Sequence, residues 1–386
     1  MKSKKLLRLL LSVLMIISFV LPVNASTYAT SQVTLETHAN ELISMAINDP
    51  NSEFEPGEYL LGERLNTYHV KDSSLSTFED TSFYPVFCNG DIVGILSVVD
   101  LGDGNQTYAF GKEFAKELSR AISQDEAYSL VVSDTQTFAV SDDGVIMIAE
   151  YEACGTTRPE VDDIKSSTNQ AKRGSNETDT LSEEDYIPET YSEGEIETLI
   201  SEFGKIDMVI SQPEYQLKPE VRASTRAAWG RNVAKYTQTG NSCWAVSAMV
   251  IGNALKNTSY DIFEVYDATS KSPYQAGTNK NIQEAFTLFG YTAKTYYTLS
   301  QSHIYQQLRT KREPFAMLCY PIDSSQLGHT MACYMYDDSY SPYMVGVMDS
   351  LIGDTVYMKN VGSVYRRTVN GITYEWQYSV TPTALQ

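Results

Sequence analysis

Apolar residues recur in two rhythms along this chain, and the alternation between them maps its elements. In "TLETHANELISMAIN", residues 34–48, Leu35, Leu42, Ile43 and Ala46 fall at helical spacing, which predicts a helix with one buried face. "TSFYPVFCNGDIVGILSVVD" reads instead as two β-rich runs joined at Asn89-Gly90, a dipeptide that readily takes the positive φ angles of a tight hairpin. In "YAFGKEFAKELSRAIS", Phe110, Phe114, Leu118 and Ile122 stand four apart and predict a second helix. "SLVVSDTQTFAVSDDGVIMIAEY" returns to strands about the turn Asp142-Asp143-Gly144. Residues 26–154 therefore read as a small α+β unit, in which His38 and His69 stand alone and offer no site.

Beyond residue 226 the helices come first and the strands afterwards. "CWAVSAMVIGNALKN" is apolar nearly all round, as a helix buried on every side must be. "NKNIQEAFTLFGYTA" and "SQSHIYQQLRTKREP" predict two further helices, with Phe286, Phe289, Ile304 and Leu308 on their buried faces. After Pro314 come five β-like runs: "FAMLCYPI", "GHTMACYMYD", "YMVGVMDS", "TVYMKNV" and "ITYEWQYSV". Segregated helices and strands give an α+β fold, with a buried helix followed by an antiparallel sheet.

Composition separates these two parts. From residue 155 to 197 there are twelve Asp plus Glu and few apolar residues, so this stretch cannot bury enough surface to offset its chain entropy and reads as a linker. A short helix is expected in "EIETLISEFGKI", and Arg222 and Arg226 mark the end of the linker region, 155–226, as open to proteolysis. The chain carries a net charge of -20; residues 227–386 hold 12 Lys plus Arg against 11 Asp plus Glu, so the acidity lies before them. Such asymmetry predicts different jobs for the two halves, and an acidic chain lacks the basic surface that binds nucleic acid. Lys2, Lys4, Lys5 and Arg8 precede an apolar run, Leu9 to Leu21, followed by Val23-Asn24-Ala25, which reads as an export signal cleaved near Ala25. No later segment is long and apolar enough for a membrane span, so a secreted or extracellular bacterial product is expected.

The candidate chemistry lies in the last 160 residues. The five cysteines are Cys88, Cys154, Cys243, Cys319 and Cys333, an odd number for an exported chain, so at least one thiol is unpaired within the monomer. The sequence leaves open whether Cys319 and Cys333 form a disulfide or are two reduced core residues. Their spacing with His329 fits no compact zinc pattern, and neither a metal nor another cofactor is expected. Cys243 falls at the first turn of the predicted buried helix, where unpaired N–H groups and the helix dipole favour a thiolate. His329 follows Gly328 at the entrance of a strand, a rigid place from which a base can face a cleft, whereas His303 sits in an amphipathic helix. Asp349 ends the next strand, twenty residues after His329, where it would orient the imidazole; Asp354 is the nearby competitor. Gln238, five residues before Cys243, is a candidate oxyanion donor, and Trp244 is expected to pack against the cleft wall.

The pattern Q-x4-C-W-A opening a buried helix, then P-F-A-M-L, G-H-T-M-A and V-M-D-S, resembles the papain-like cysteine peptidases over residues 227–386. It is most similar to the bacterial branch that includes the bacteriocin-processing peptidases, in which Asp commonly replaces Asn as orienter. The resemblance implies a nucleophile at Cys243, a base at His329, an orienter at Asp349 and an oxyanion residue at Gln238. It also implies a peptide or protein substrate and a propeptide in residues 26–154 that docks on the peptidase domain. Two departures stand out: Thr237 occupies the position six before the cysteine, where the family usually has its glutamine, and Ser350 follows Asp349 where papain has tryptophan. A cell-wall peptide amidase or a transglutaminase-like acyltransferase would use the same residue types, and an exported binding protein that has lost activity would retain them.

Overall fold

The structure, a computed structural model, describes residues 23–384 apart from 101, 103–105, 123–125, 153, 160–163, 166–188, 211, 222–228, 323–326, 363 and 370. The expected export signal up to residue 22, most of the acidic linker, and Arg222 and Arg226 lie outside the described residues.

The N-terminal half contributes helix α1 (Val23–Asn48) and strands β1 (Tyr59–Gly62), β2 (Thr67–Lys71), β3 (Ser74–Thr77), β4 (Thr81–Cys88), β5 (Asp91–Asp100) and β6 (Gln106–Gly111). Helix α2 (Ala115–Ala121) follows, then β7 (Tyr128–Val132), β8 (Gln136–Ser141), β9 (Gly144–Glu150) and β10 (Ile164–Lys165). Helix α3 (Glu193–Phe203), β11 (Pro213–Leu217) and β12 (Trp229–Gly230) lead to α4 (Cys243–Lys256), α5 (Ile262–Thr269), α6 (Asn279–Leu288) and β13 (Tyr291–Tyr297). A short α7 (Gln301–Ile304) runs into a π-helical turn, Tyr305–Thr310, before β14 (Phe315–Pro321), β15 (His329–Asp337), β16 (Met344–Asp349), β17 (Asp354–Val361), β18 (Arg366–Val369) and β19 (Ile372–Ala384).

The fold is mixed α+β with mainly antiparallel pairing, and the five late runs are all strands. Asn89 and Gly90, with φ of 55° and 92°, turn the β4–β5 hairpin. Ser192 and Glu195 form a capping box that starts α3, and Gly204 ends it. One expectation needs correcting: Phe110 lies in β6, and the helix after it spans only Ala115–Ala121. Its four-residue spacing with Phe114 is a coincidence of strand end and turn, since pairing of Phe110 with Leu96 and Tyr357 outweighs local helical propensity. Periodicity also passed over α5, β13 and β18.

The principal sheet runs β10-β13-β19-β14-β15-β16-β17-β6-β5-β4-β1-β11, with β12 and β18 attached to β15 and β19. Strands β17 and β6 pair from Tyr357↔Phe110 to Val361↔Gln106, so the sheet crosses from the C-terminal half into the N-terminal half without interruption. The second sheet, β3-β2-β7-β8-β9, is built from the N-terminal half alone. Alternation along β14 and β15 divides the interior: Ala316, Leu318, Ala332 and Tyr334 meet the helices on one face, while Met317, Cys319, Met331 and Cys333 fill the other. Leu42, Ile43 and Ala46 of α1 share a core with Trp244, Val246 and Val250 of α4. Among the described residues no helix is long and apolar enough to cross a membrane.

Polar contacts reinforce this junction. The buried carboxylate of Asp49, just after α1, accepts from Tyr334 Oη at 2.9 Å and Tyr357 Oη at 2.8 Å, and buried Lys359 pairs with Glu41. Asp49→Ala strips both phenols of a common acceptor and is expected to destabilise the protein by about 1–3 kcal/mol in urea unfolding, with Asp49→Asn costing less because it keeps an oxygen.

Candidate active site

Three local features place Cys243. Ser242 Oγ is occupied by Thr239, so no side chain caps the first turn of α4, and the N–H groups and dipole of that turn act on the thiol. Ser247 Oγ donates to the Thr330 carbonyl at 3.0 Å, fixing α4 against the start of β15, where His329 stands. Trp244 is fully buried, donates Nε1–H to the Gln275 carbonyl, and lies so close under Gly277 that a Cβ there would come within 2.3 Å of its indole. Trp244 is therefore a core residue of α4.

Sheet register joins the other two candidates. Ala332 faces Met348 across β15 and β16, so one step further along the ladder Asp349 stands against Met331, and His329 shares that face. His329 Nε2 is 2.7 Å from Asp349 Oδ1, both residues being almost wholly buried. Asp349 Oδ1 also accepts from the Leu351 N–H at 2.9 Å, and Arg367 Nη2 lies 2.9 Å from Oδ2. Burial works against charge on this carboxyl, but Arg367 and then His329 outweigh it and hold it well below the usual carboxylate range.

With Nε2 taken by Asp349, the other imidazole nitrogen, Nδ1, makes no well-aligned hydrogen bond, and the His329 side chain is near enough to the thiols of Cys243 and Cys154 to bias both toward their charged forms. Burial opposes protonation of His329; the Asp349 carboxylate prevails and raises it well above its ordinary value. Burial would likewise push Cys243 up, yet His329, the Thr156 hydroxyl and the Gly155 N–H hold it below the ordinary thiol value. These groups can therefore form a thiolate beside an imidazolium that a carboxylate orients.

Gln238 is buried, and the structure holds it differently from an open donor. Its Nε2 donates to the Gly240 carbonyl at 2.9 Å, its Oε1 accepts from Ser350 Oγ at 2.7 Å, and its N–H donates to the Ser350 carbonyl. Ser350 thus ties the Gln238 loop to the end of the Asp349 strand. The competitors stand elsewhere: Asp354 pairs with Lys235 at 2.7 Å, and His303 Nδ1 bonds Ser300. All five thiols are free. Cys319 stands opposite His329 and Cys333 opposite Phe315, four residues along the ladder, which is about 13 Å and too far for a disulfide.

Sequence reasoning missed the segment Cys154–Arg158, which runs between Gly277 and Gly328. The Gly155 carbonyl accepts from Gly277 N–H at 2.8 Å, Thr157 N–H donates to the Gly277 carbonyl at 2.8 Å, and Thr156 exchanges both of its main-chain hydrogen bonds with Gly328. Thr156 Oγ1 lies 3.3 Å from Cys243 Sγ and 2.7 Å from Thr330 Oγ1. Arg158 anchors the far end through the Pro321 carbonyl and the face of Tyr320. The only sequence signal was a small-residue stretch beside a cysteine at the edge of the acidic linker. Arg367 and Glu113, whose carboxylate is 3.8 Å from Arg367, were missed too, because strand β18 was not foreseen. The chain matches no protein-family model, and no curated protein is similar enough to count as a match.

Gly155 tests the segment, because a Cβ there would lie 2.2 Å from the Asn241 carbonyl oxygen. Gly155→Ala is expected to expel residues 154–158 and speed iodoacetamide labelling of Cys243, read by peptide mass, about tenfold or more over the wild type; tenfold corresponds to about 1.4 kcal/mol of lost holding energy.

Proposed function

We propose that this chain is a papain-like cysteine endopeptidase, exported as a latent precursor, that hydrolyses peptide bonds through Cys243, His329 and Asp349. The observation that carries the reading is the buried 2.7 Å contact between His329 Nε2 and Asp349, on an imidazole near enough to Cys243 at the head of α4 to favour its thiolate. Nucleophile, base and orienter then stand in series. The thiolate attacks the peptide carbonyl, the imidazolium gives its proton to the leaving amine, and the acyl-enzyme forms. Water, deprotonated by the imidazole, attacks the thioester, and the acid leaves with the thiol restored. The uncapped N–H groups at the start of α4 suit the developing oxyanion; Gln238 would join them only after leaving Gly240.

Latency is supported by what faces the sulfur. Cys243 meets the Gly155 N–H and the Thr156 hydroxyl, both hydrogen-bonding groups, while the Gly155 and Thr156 carbonyls are turned to Gly277 and Gly328. A thiolate can only accept, so the segment solvates the nucleophile and offers it no electrophile. Because the two halves share β17–β6, a cut in the connection leaves the N-terminal half docked. Activity requires only that residues 154–158 withdraw from Gly277 and Gly328, opening those main-chain groups to an extended peptide.

The direct test incubates residues 26–386 under mild reduction, wild type beside Cys243→Ala, with fragment masses read over time. Cleavage between about Tyr215 and Arg231 in the wild type alone, with peptidase activity that appears once residues 154–158 are displaced and that a thiol alkylator abolishes, is the expected result. If both chains stay intact and Cys243 never labels after residues 154–158 are displaced, the reading fails and that of an exported binding protein takes its place. In the processed enzyme Asp349→Asn should lower turnover by on the order of 10²- to 10⁴-fold. The pH–rate profile should fall on the acid side as the thiolate is protonated and on the alkaline side as the imidazolium is lost. Asp349→Asn removes the charge that raises His329, so the alkaline limb should move to lower pH.

A further inference from the structure

Asp349 is not the end of the buried chain of charges. Arg367 on β18 is 1 % exposed, with Nη2 2.9 Å from Asp349 Oδ2 and 3.8 Å from Oε1 of Glu113, which is itself 6 % exposed. Glu113 belongs to the N-terminal half, in the turn between β6 and α2. Its backbone is held at φ +33°, a conformation that a residue with a side chain seldom adopts and that neighbouring structure must enforce. Arg367 Nε, Nη1 and Nη2, Asp349 Oδ2 and Glu113 Oε1 make no well-formed hydrogen bond, so charge is the main thing these groups exchange. Glu113 and Arg367 line one small cavity with Tyr151 and Phe114. Charges act additively at a buried site, so the positive potential that the Arg367 guanidinium sets at Asp349 and His329 is partly cancelled by the negative potential of Glu113.

We infer, on the reading that Cys243 and His329 form the reactive pair, that Arg367 is a positioning residue for His329–Asp349 and that Glu113 of the N-terminal half is its second partner. Docking of the N-terminal half thereby sets the charge balance felt by the imidazole. Arg367 offsets part of the Asp349 charge that holds the proton on His329, and the opposite charge of Glu113 cancels part of that offset. Burial pushes Glu113 up to about 7 in spite of Arg367, so its contribution itself varies across neutral pH. The other ionisable groups facing the chain of charges are the thiols of Cys154, Cys243 and Cys319 and the phenols of Tyr151 and Tyr374.

The test reads the His329 imidazole nitrogens by NMR against pH in the full chain, the signal being assigned by its loss in His329→Gln. Removing the positive charge in Arg367→Met should raise the midpoint by about half a pH unit or more, and removing the negative charge in Glu113→Gln should lower it. Arg367→Lys, which keeps the charge, should stay near the wild type. Simple loosening of the packing would instead carry every variant down toward the ordinary histidine value. Midpoints that fall together, or that all coincide with the wild type, overturn the inference. If Arg367→Met fails to fold, Arg367→Lys and Glu113→Gln decide it by the same contrast. Cys243→Ala separates this result from the reading beneath it. Loss of a thiolate should lower the midpoint, and an unmoved midpoint there counts against the reactive pair while the Arg367 and Glu113 shifts stand or fall on their own.

Discussion

A carboxylate with no exposure to water stays ionised only where the protein replaces every interaction that water supplied. Asp349 meets that demand with two donors and a cation from different parts of the chain: the imidazole of His329 on β15, the backbone N–H of Leu351, and the charge of the Arg367 guanidinium on β18. Each has a consequence. The imidazole is fixed by one nitrogen beside the thiols of Cys154 and Cys243; the turn after β16 is pinned; and β18 is drawn in behind the site. Removing any one partner would strand a charge in the interior, which is far costlier than losing an exposed ion pair. The geometry about Cys243 is thus specified from the far side of the sheet.

The second constraint is the continuity of that sheet. Pairing of β17 with β6 puts Glu113 within reach of Arg367 and brings Asp49 to the phenols of Tyr334 and Tyr357. The charge boundary near residue 226 is therefore not a packing boundary. The acidic half and the near-neutral half share one core, in which α1 and α4 cover the same face. A segment that leaves β9 and meets Gly277 and Gly328 is held by main-chain hydrogen bonds on both edges, so it can sit over the thiol without any large side chain. Gly155 is required there because Asn241 leaves no room for a Cβ.

Much of the fold was legible. The five late strands, the helix beginning at Cys243, the Asn89-Gly90 hairpin and the helix ending at Asn48 were all written in local periodicity and turn chemistry, which need only near neighbours to act. Where a distant partner decides, the reading went astray: Phe110 looks helical in sequence, but two strands pair with it and hold it extended. Likewise β18 is four residues long and carries two arginines, so nothing in its composition announces a buried strand.

The same division holds for the site. The sequence by itself determined that a cysteine opens a buried helix, that a histidine enters one strand and that an aspartate ends the next, because these are positions within single elements. Only the tertiary structure decided that register sets His329 and Asp349 on one face, that Gln238 is held by Ser350 and Gly240, and that Gly155 and Thr156 cap the sulfur. It alone brought Arg367 and Glu113, 254 positions apart, to the back of the aspartate. Periodicity records which way a side chain points, whereas a charge is answered by whatever the fold carries to it, and no local pattern encodes that distance.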